Sequence, residues 1–205
     1  MSDFGRPLHE RDLDPDPLRQ FELWFSEAGA AGVRQPEAAA VASASMDGAP
    51  SLRMVLVKGF DERGFVFFSN YASRKGRELA ENPRAAMMFY WDPLGRQVRL
   101  EGPVARTSAQ ETAAYVHSRP RASQLSALAS PQSQQLESRE ALERRVAELQ
   151  ERYGTQELPL PADWGGFRLA PDSIEFWQQR EDRLHDRLRY RREQGARWLI
   201  ERLAP

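Results

Sequence analysis

The block Arg183-Leu184-His185-Asp186-Arg187 is the part of this chain best suited to chemistry. On a strand, side chains alternate with period two, so Arg183, His185 and Arg187 would share one face. Arg189 and Arg191 would continue the row. Such a row of cations calls for an anion to meet it. His185 is one of only three histidines. Just upstream, Ile174-Glu175-Phe176-Trp177-Gln178 reads as an aromatic strand able to pack a flat ring. Together the two runs suggest a pocket for a planar, phosphorylated ligand. A competing reading is a solvated basic helix, since Leu184 and Leu188 are also spaced i, i+4 and charge runs are usually exposed faces.

Further clusters carry similar chemistry. In Arg53-Met54-Val55-Leu56-Val57-Lys58, two cations bracket an apolar strand and could equally mark its wet ends. Five residues apart, Arg53 and Lys58 point to opposite faces of a regular strand. Ser73-Arg74-Lys75-Gly76-Arg77 places cations at a helix N-terminus, where they oppose the dipole unless an anion binds. Tyr115 and Arg119 share a helix face, and Ser123 follows the Pro120 break as a cap. A phenol, a guanidinium and a hydroxyl can hold a phosphate monoester; an ordinary helix end is the alternative. Gln132-Ser133 and Gln97 could read a ring edge or a phosphate, or be surface polar sites.

The elements that must position these groups are legible in the spacing. Helices are expected over Leu18–Ala31, Ser73–Glu81, from Ser108 to His117, and over Ser133–Tyr153. Strands are expected over Ala38–Ser45, Leu52–Gly59, Phe65–Ser69, Ala85–Trp91 and Gln97–Arg106. Phe167–Leu169, Ser173–Gln178, Leu184–Arg191 and Arg197–Arg202 complete the set. Residues 1–16, rich in Pro, Asp and Arg, read as a mobile N-terminal segment. Short turns and the lack of βαβ alternation favour an antiparallel β-barrel with surrounding helices, formed as one domain over residues 17–205.

Composition narrows the function. The chain has 205 residues, 29 Lys+Arg against 30 Asp+Glu, and no Cys. A net charge of −1 argues against a general nucleic-acid binder. Without Cys there is no disulfide framework, thiolate metal site or Cys nucleophile. No metal site is expected from three scattered His. There is no dinucleotide fingerprint, Walker A loop, H-E-x-x-H or G-x-S-x-G. No apolar run approaches spanning length and no signal peptide is seen, so a soluble cytoplasmic protein with no membrane partner is expected.

Many ordered motifs, from about Asp12 to Pro205, carry a resemblance to the pyridoxine 5′-phosphate oxidase family. They are Arg53–Lys58, Gly64–Asn70, Ser73-Arg74-Lys75, Arg96-Gln97-Val98 and Ser118-Arg119-Pro120-Arg121. Gln132-Ser133, Glu175-Phe176-Trp177-Gln178, Arg183–Arg187 and the ending Glu201-Arg202-Leu203-Ala204-Pro205 follow.

The resemblance implies a split β-barrel that forms a homodimer, with FMN at the subunit interface. It implies FMN contacts from Arg53, Met54, Val55, Leu56, Val57, Lys58, Phe68, Ser69, Arg74, Lys75, Gln97, Gln132, Ser133, Trp177 and Arg187. The substrate phosphate would meet Lys58, Tyr115, Arg119 and Ser123. Arg183, Leu184 and His185 would bind the substrate, with Arg183 and His185 catalytic over its ring. The implied reaction takes a hydride from the substrate's C4′ to the flavin, converting pyridoxine or pyridoxamine 5′-phosphate to pyridoxal 5′-phosphate; O2 leaves as H2O2. Last, Arg53 would serve the FMN phosphate and Lys58 the substrate side.

The chain departs from the family pattern at three places. An Arg and a Tyr of an N-terminal lid have no match in Met1–Gly5, where Phe4 is the sole aromatic; Leu128 replaces a common Trp, and Pro131 a common Arg. Two alternatives stand beside this reading: a related flavin oxidase of phenazine biosynthesis, and a non-catalytic carrier of flavin or pyridoxal phosphate. The intact set of Lys58, Tyr115, Arg119, Ser123, Arg183 and His185 argues against the phenazine oxidase, since a non-phosphorylated substrate would not need that clamp.

Overall fold

A computed structural model describes residues 6–193 and 197–205. Nine antiparallel strands form its centre: β1 (Ala38–Ala44), β2 (Pro50–Asp61), β3 (Gly64–Asn70), β4 (Arg84–Trp91), β5 (Arg96–Arg106), β6 (Trp164–Leu169), β7 (Ser173–Gln178), β8 (Asp186–Arg192) and β9 (Trp198–Arg202). The helices are α1 (Pro17–Ala30), α2 (Arg74–Glu81), α3 (Ala109–Ser118), α4 (Arg121–Ala129) and α5 (Arg139–Tyr153). None is long and apolar enough to cross a membrane among the described residues.

Pairing of β4 with β5 closes the order β4-β1-β2-β3-β6-β5 into a six-stranded barrel. Alternation drives the closure: β1 turns Ala39, Val41 and Ser43 inward, and β4 turns Ala85, Met87, Phe89 and Trp91 inward. The barrel is split along one edge of β5. Residues 96–101 of that strand pair with β7, while 104–106 pair with β6. Gly102 sits at the split, where a Cβ would run into the backbone of Ala170 and Pro171. Beyond β7, the sheet continues through β8 to β9.

Helix α1 covers the barrel. Asp16 caps it, accepting from the Leu18 amide at 2.9 Å, and Pro17 stands at its first turn, where a missing N–H costs nothing. Phe21 is fully buried against Phe60, Phe65 and Phe89 at ring separations of 4.8–5.0 Å. Burial of a side chain of that size contributes about 1.5–3 kcal/mol.

Several expectations are corrected. Residues 6–16 form no loose tail: Leu8 and Leu13 join the core, Leu8 N–H donates to Asp186 at 3.1 Å, and Glu10 pairs with Arg202 at 2.8 Å. Met1–Gly5, where the lid was sought, lie outside the described residues. The helix expected from Ser133 starts at Arg139, capped by Ser138; Ser133 itself has φ 69°, which no helix interior accepts. Helix α4 was not expected. The last hairpin also differs, because Arg183 is not on a strand. It ends a 3₁₀ turn, Glu181–Arg183, with φ 59°, and β8 begins only at Asp186. Arg183 and His185 therefore do not continue the strand row of Arg187, Arg189 and Arg191.

That row needs no external anion. Arg187 is held by Glu175 at 2.8 Å, Arg189 by Glu201 at 2.6 Å, and Arg191 by Glu201 at 3.2 Å.

Candidate functional site

The predicted residues gather in three groups. The first surrounds the N-terminus of α2. Ser73 caps the helix by accepting from the Gly76 amide, and Gly76 is required because a Cβ there would strike the Tyr71 and Asn70 carbonyls. The tight turn brings Lys75 back onto β3. Its Nζ donates to Ser69 Oγ at 2.8 Å and to Gln132 Oε1 at 2.9 Å. Arg53, from β2, donates to the Val41 carbonyl at 3.1 Å and to Ser43 Oγ at 2.6 Å, and also to Ser51 Oγ.

Beneath these cations lies Glu78, which the sequence reading did not single out. Its carboxylate accepts from Ser43 at 2.6 Å, from Arg74 Nε at 2.8 Å and from Ser51, and stands 3.4 Å from Arg53. Burial works to raise its pKa, but the hydrogen bonds from Ser43, Ser51 and Arg74 and the charge of Arg53 win, holding it at about 2. Burial, with the charge of Arg53 close by, brings Lys75 down to about 8. The Arg74–Glu78 spacing, i, i+4 on a helix, was the available signal for Glu78.

Ser51, Leu52, Arg53, Arg74, Lys75 and Ser133 line a cavity of about 300 Å³. Three cations and two hydroxyls facing one space suit a phosphate dianion. The left-handed backbone of Ser133 is strain of the kind that concentrates at ligand sites. A larger cavity of about 420 Å³ lies between Pro15, Arg63, Pro171 and Trp198, and no predicted site residue lines it.

The second group is aromatic. Phe68, next to Ser69 on β3, stacks on Tyr115 at 3.8 Å with planes 16° apart. Tyr115 lies parallel to Trp164 at 6.1 Å, and the Arg119 guanidinium sits 4.9 Å over the same indole. Arg119 caps α3 rather than continuing it, so Trp164 is what brings it to Tyr115. Burial raises the Tyr115 pKa against the opposing charge of Arg119. Arg119 Nη1 is buried without a hydrogen-bond partner. Ser123 is no cap: it lies inside α4, whose N-cap is Pro120, and its amide donates to the Pro120 carbonyl at 2.9 Å. Trp164 escaped the sequence reading because only the fold places it beside Tyr115.

The third group lies on the extension of the sheet. Register places Gln97 beside Trp177, and Trp177 beside Arg187. The Trp177 ring meets His185 at 4.5 Å. Glu175, 3 % exposed, accepts both Nε and Nη2 of Arg187 and, at 2.7 Å, Nη2 of Arg99. Donation by the Arg187 guanidinium to Glu175, more than the opposing burial, raises the Arg187 pKa. Arg183 and Leu184 are exposed at the turn. Among the described residues no side-chain hydrogen bond or ring contact joins this group to the first. Gln97 and Gln132 thus belong to different groups.

Lys58 joins none of them directly. It is exposed at a β-bulge that shifts the β2–β3 register between Val57 and Gly59. On the same strand Arg53, Val55 and Val57 turn inward, while Leu52, Met54 and Leu56 are 69 %, 65 % and 37 % exposed. Met54 and Met88 flank Ala40 in register, and Tyr90 on β4 is 49 % exposed, so this sheet face is broadly apolar. Patches of that kind mark interaction surfaces.

Comparison with known proteins fits this geometry. Residues 25–153 match the family described as pyridoxamine 5′-phosphate oxidase, and residues 164–205 match the pyridoxine 5′-phosphate oxidase C-terminal dimerisation region. The pyridoxine/pyridoxamine 5′-phosphate oxidase of Rubrobacter xylanophilus is 57 % identical over 198 residues, covering 97 % of this chain and 91 % of that one. The protein of the same name from Paraburkholderia phymatum is 54 % identical over 194 residues, covering 95 % and 91 %. Among solved structures, PhzG from Burkholderia lata 383, in complex with tetrahydrophenazine-1-carboxylic acid, superposes with a TM-score of 0.91 at 36 % identity, covering 98 % and 99 %. A pyridoxamine 5′-phosphate oxidase-related, FMN binding protein from Nostoc punctiforme shares the fold, with a TM-score of 0.73 at 19 % identity and coverage of 93 % and 98 %.

Proposed function

Because the chain belongs to the pyridoxamine 5′-phosphate oxidase family, we propose that it is an FMN-dependent oxidase of pyridoxine 5′-phosphate and pyridoxamine 5′-phosphate. With O2 as the oxidant, the products are pyridoxal 5′-phosphate and H2O2, and the amine substrate also consumes water and releases ammonia. The observation that carries this reading is the presence of separate anion-ready sites: the cavity of Arg53, Arg74, Lys75 and Ser133, and the Tyr115–Arg119 group with its unpartnered Nη1. One phosphate belongs to the cofactor and the other to the substrate.

In this reading residues 17–205 act as one domain and the active unit is a homodimer. The apolar face of Leu52, Met54 and Leu56 meets its counterpart, and Gln97, Trp177 and Arg187 of one subunit complete the FMN site begun by Arg53, Ser69, Lys75 and Gln132 of the other. FMN, when bound, supplies the acceptor for the substrate's hydride. The protein's own work is to bind and orient. Arg53, Arg74, Lys75 and Ser133 hold the cofactor phosphate. Tyr115, Arg119 and Ser123, with Lys58, hold the substrate phosphate. Arg183, Leu184 and His185 contact the substrate ring.

The likeness to PhzG favours one other reading, a flavin oxidase acting on a phenazine precursor. The full set of Lys58, Tyr115, Arg119 and Ser123 weighs against it: a lone guanidinium also suits a carboxylate, whereas a phosphate dianion uses the several donors of the set. Denaturing the purified protein identifies the released chromophore, and peroxide is then measured with pyridoxine 5′-phosphate and with unphosphorylated pyridoxine. FMN release and a strong preference for the phosphorylated substrate are expected. No flavin uptake, or no peroxide from either phosphorylated substrate, sinks the proposal.

A further inference from the structure

Between β7 and β8 the chain makes a turn that no glycine eases. Asp182 and Arg183 both take left-handed backbone, with φ 53° and 59°. Residues with a side chain adopt it rarely, and it persists where the surroundings enforce it. The turn carries Arg180 N–H to His185, where it donates to Nδ1 at 3.1 Å. It also leaves the imidazole against the Trp177 ring, 4.5 Å between centroids and 42° between planes.

A backbone amide can only donate, so Nδ1 must present its lone pair. A neutral imidazole has one ring hydrogen, which must then sit on Nε2. The geometry points to His185 as a hydrogen-bond donor through Nε2–H, with the Arg180 amide as the positioning group that fixes the tautomer. Nε2 then holds an acceptor lone pair of the substrate in place. It does not take a proton from the substrate, because its own lone pair is committed to the ring. This assignment rests on the substrate role given to His185 above, and it narrows that role from ring contact to hydrogen-bond donor.

The tautomer can be read without substrate. The protein is labelled with 15N, loaded with FMN and examined at about pH 8, above the ordinary histidine range. Long-range 1H–15N correlation distinguishes ring nitrogens that carry hydrogen from those that carry a lone pair. Only His9, His117 and His185 contribute, and the spectrum of His185→Gln identifies the third. Nε2 protonated and Nδ1 bare is the expected result. Nδ1 protonated overturns the inference.

A pair of variants tests the consequence. His185→Gln places a donor near the Nε2 position, whereas His185→Glu places an acceptor there. Loss of a donor to a neutral acceptor corresponds to about 2- to 13-fold. His185→Glu should fall below His185→Gln in kcat/KM by that order, with both variants retaining FMN. If His185→Glu equals or exceeds His185→Gln, the residue serves as a base and the inference fails. A protein with the expected tautomer that oxidises neither phosphorylated substrate would refute the oxidase reading while leaving the tautomer assignment supported.

Discussion

Lys75 and Gln132 are 57 residues apart, yet Lys75 Nζ donates to Gln132 Oε1 at 2.9 Å while also reaching Ser69. The contact ties α2, β3 and the loop before α5 into one polar cluster. It also leaves Lys75 buried beside Arg53, which brings its pKa down to about 8 from the usual 10.5. A phosphate dianion favours the charged lysine. Between about pH 7 and about pH 8 the lysine is protonated and the phosphate is a dianion, so FMN affinity should not change; above about pH 8, binding must take up a proton, and affinity should fall by up to about tenfold per pH unit. Lys75→Met should bind FMN more weakly and lose this alkaline limb. Fluorescence titration at several pH values measures both, and an affinity flat up to about pH 9.5 would contradict the assignment.

Glu78 gives the second prediction. Its carboxylate is 8 % exposed and joins Ser43, Ser51, Arg53 and Arg74 across three elements. Glu78→Gln keeps the shape and removes the charge that anchors the two guanidiniums. Losing hydrogen bonds to a charged group costs about 1.5–3 kcal/mol, which should appear in urea unfolding of the FMN-free protein. The carboxyl is held at about 2, below its ordinary 4.5, so it contributes stability that is full above pH 4.5 and fades as pH falls toward 2. The variant should therefore lose less stability on acidification than the parent protein. FMN affinity should fall as well, because Arg53 and Arg74 are no longer aimed. Unchanged urea and FMN titrations would show that Glu78 is an idle neighbour.

Much of the fold was legible in local pattern. The run Ser173–Gln178 is β7 to the residue, and Ser73 and Ser108, where two of the expected helices begin, are their N-caps. Alternation and turn residues are local signals, so they survive in a sequence. The failures are tertiary. Arg183 and His185 look like strand residues because they alternate with Arg187, but the turn at Asp182 breaks the period before β8 begins. The basic row looked like an anion site because its counter-charges, Glu175 and Glu201, lie on neighbouring strands. Trp164 acquires meaning only from what the fold places beside it, and Glu78 offered no more than its i, i+4 spacing from Arg74. Parity did place Arg53 and Lys58 on opposite faces, and Lys58 is exposed where Arg53 turns inward; what the spacing could not show is the bulge at Val57–Gly59, which shifts the register beyond it.

The exposed row on β2 yields a prediction about assembly. Met54 is 65 % exposed on a strand whose other face is packed. If this face meets a second copy, Met54→Arg buries an unpaired charge at the interface, a change that costs several kcal/mol. Sedimentation should then find a monomer where the parent is a dimer, with helix and sheet content unchanged by circular dichroism. FMN should be lost with the dimer, since the site is proposed to need both subunits. A dimeric Met54→Arg protein would move the interface elsewhere.

Glu175 carries the last prediction. It is 3 % exposed, grips Arg187 through both oxygens, and takes a third hydrogen bond from Arg99 at 2.7 Å. Arg187 donates in addition to the Ala204 carbonyl at 2.9 Å, so one carboxylate fixes a guanidinium, three strands and the C-terminal segment. Breaking a buried ion pair from one side costs about 3–5 kcal/mol, because the remaining charge is left without compensation. Glu175→Gln retains one acceptor oxygen and should lie at or below the low end of that range; Glu175→Ala should lie higher. In the proposed dimer Arg187 reaches FMN, so Glu175→Gln should also weaken FMN binding. Arg99→Met separates the two effects. It removes a partner of Glu175 while leaving the Glu175–Arg187 grip in place, and should cost stability with little change in FMN affinity. Thermal unfolding and flavin titration of the three variants check this. If Arg99→Met loses FMN as severely as Glu175→Gln does, the carboxylate serves the whole sheet edge and not the aim of Arg187.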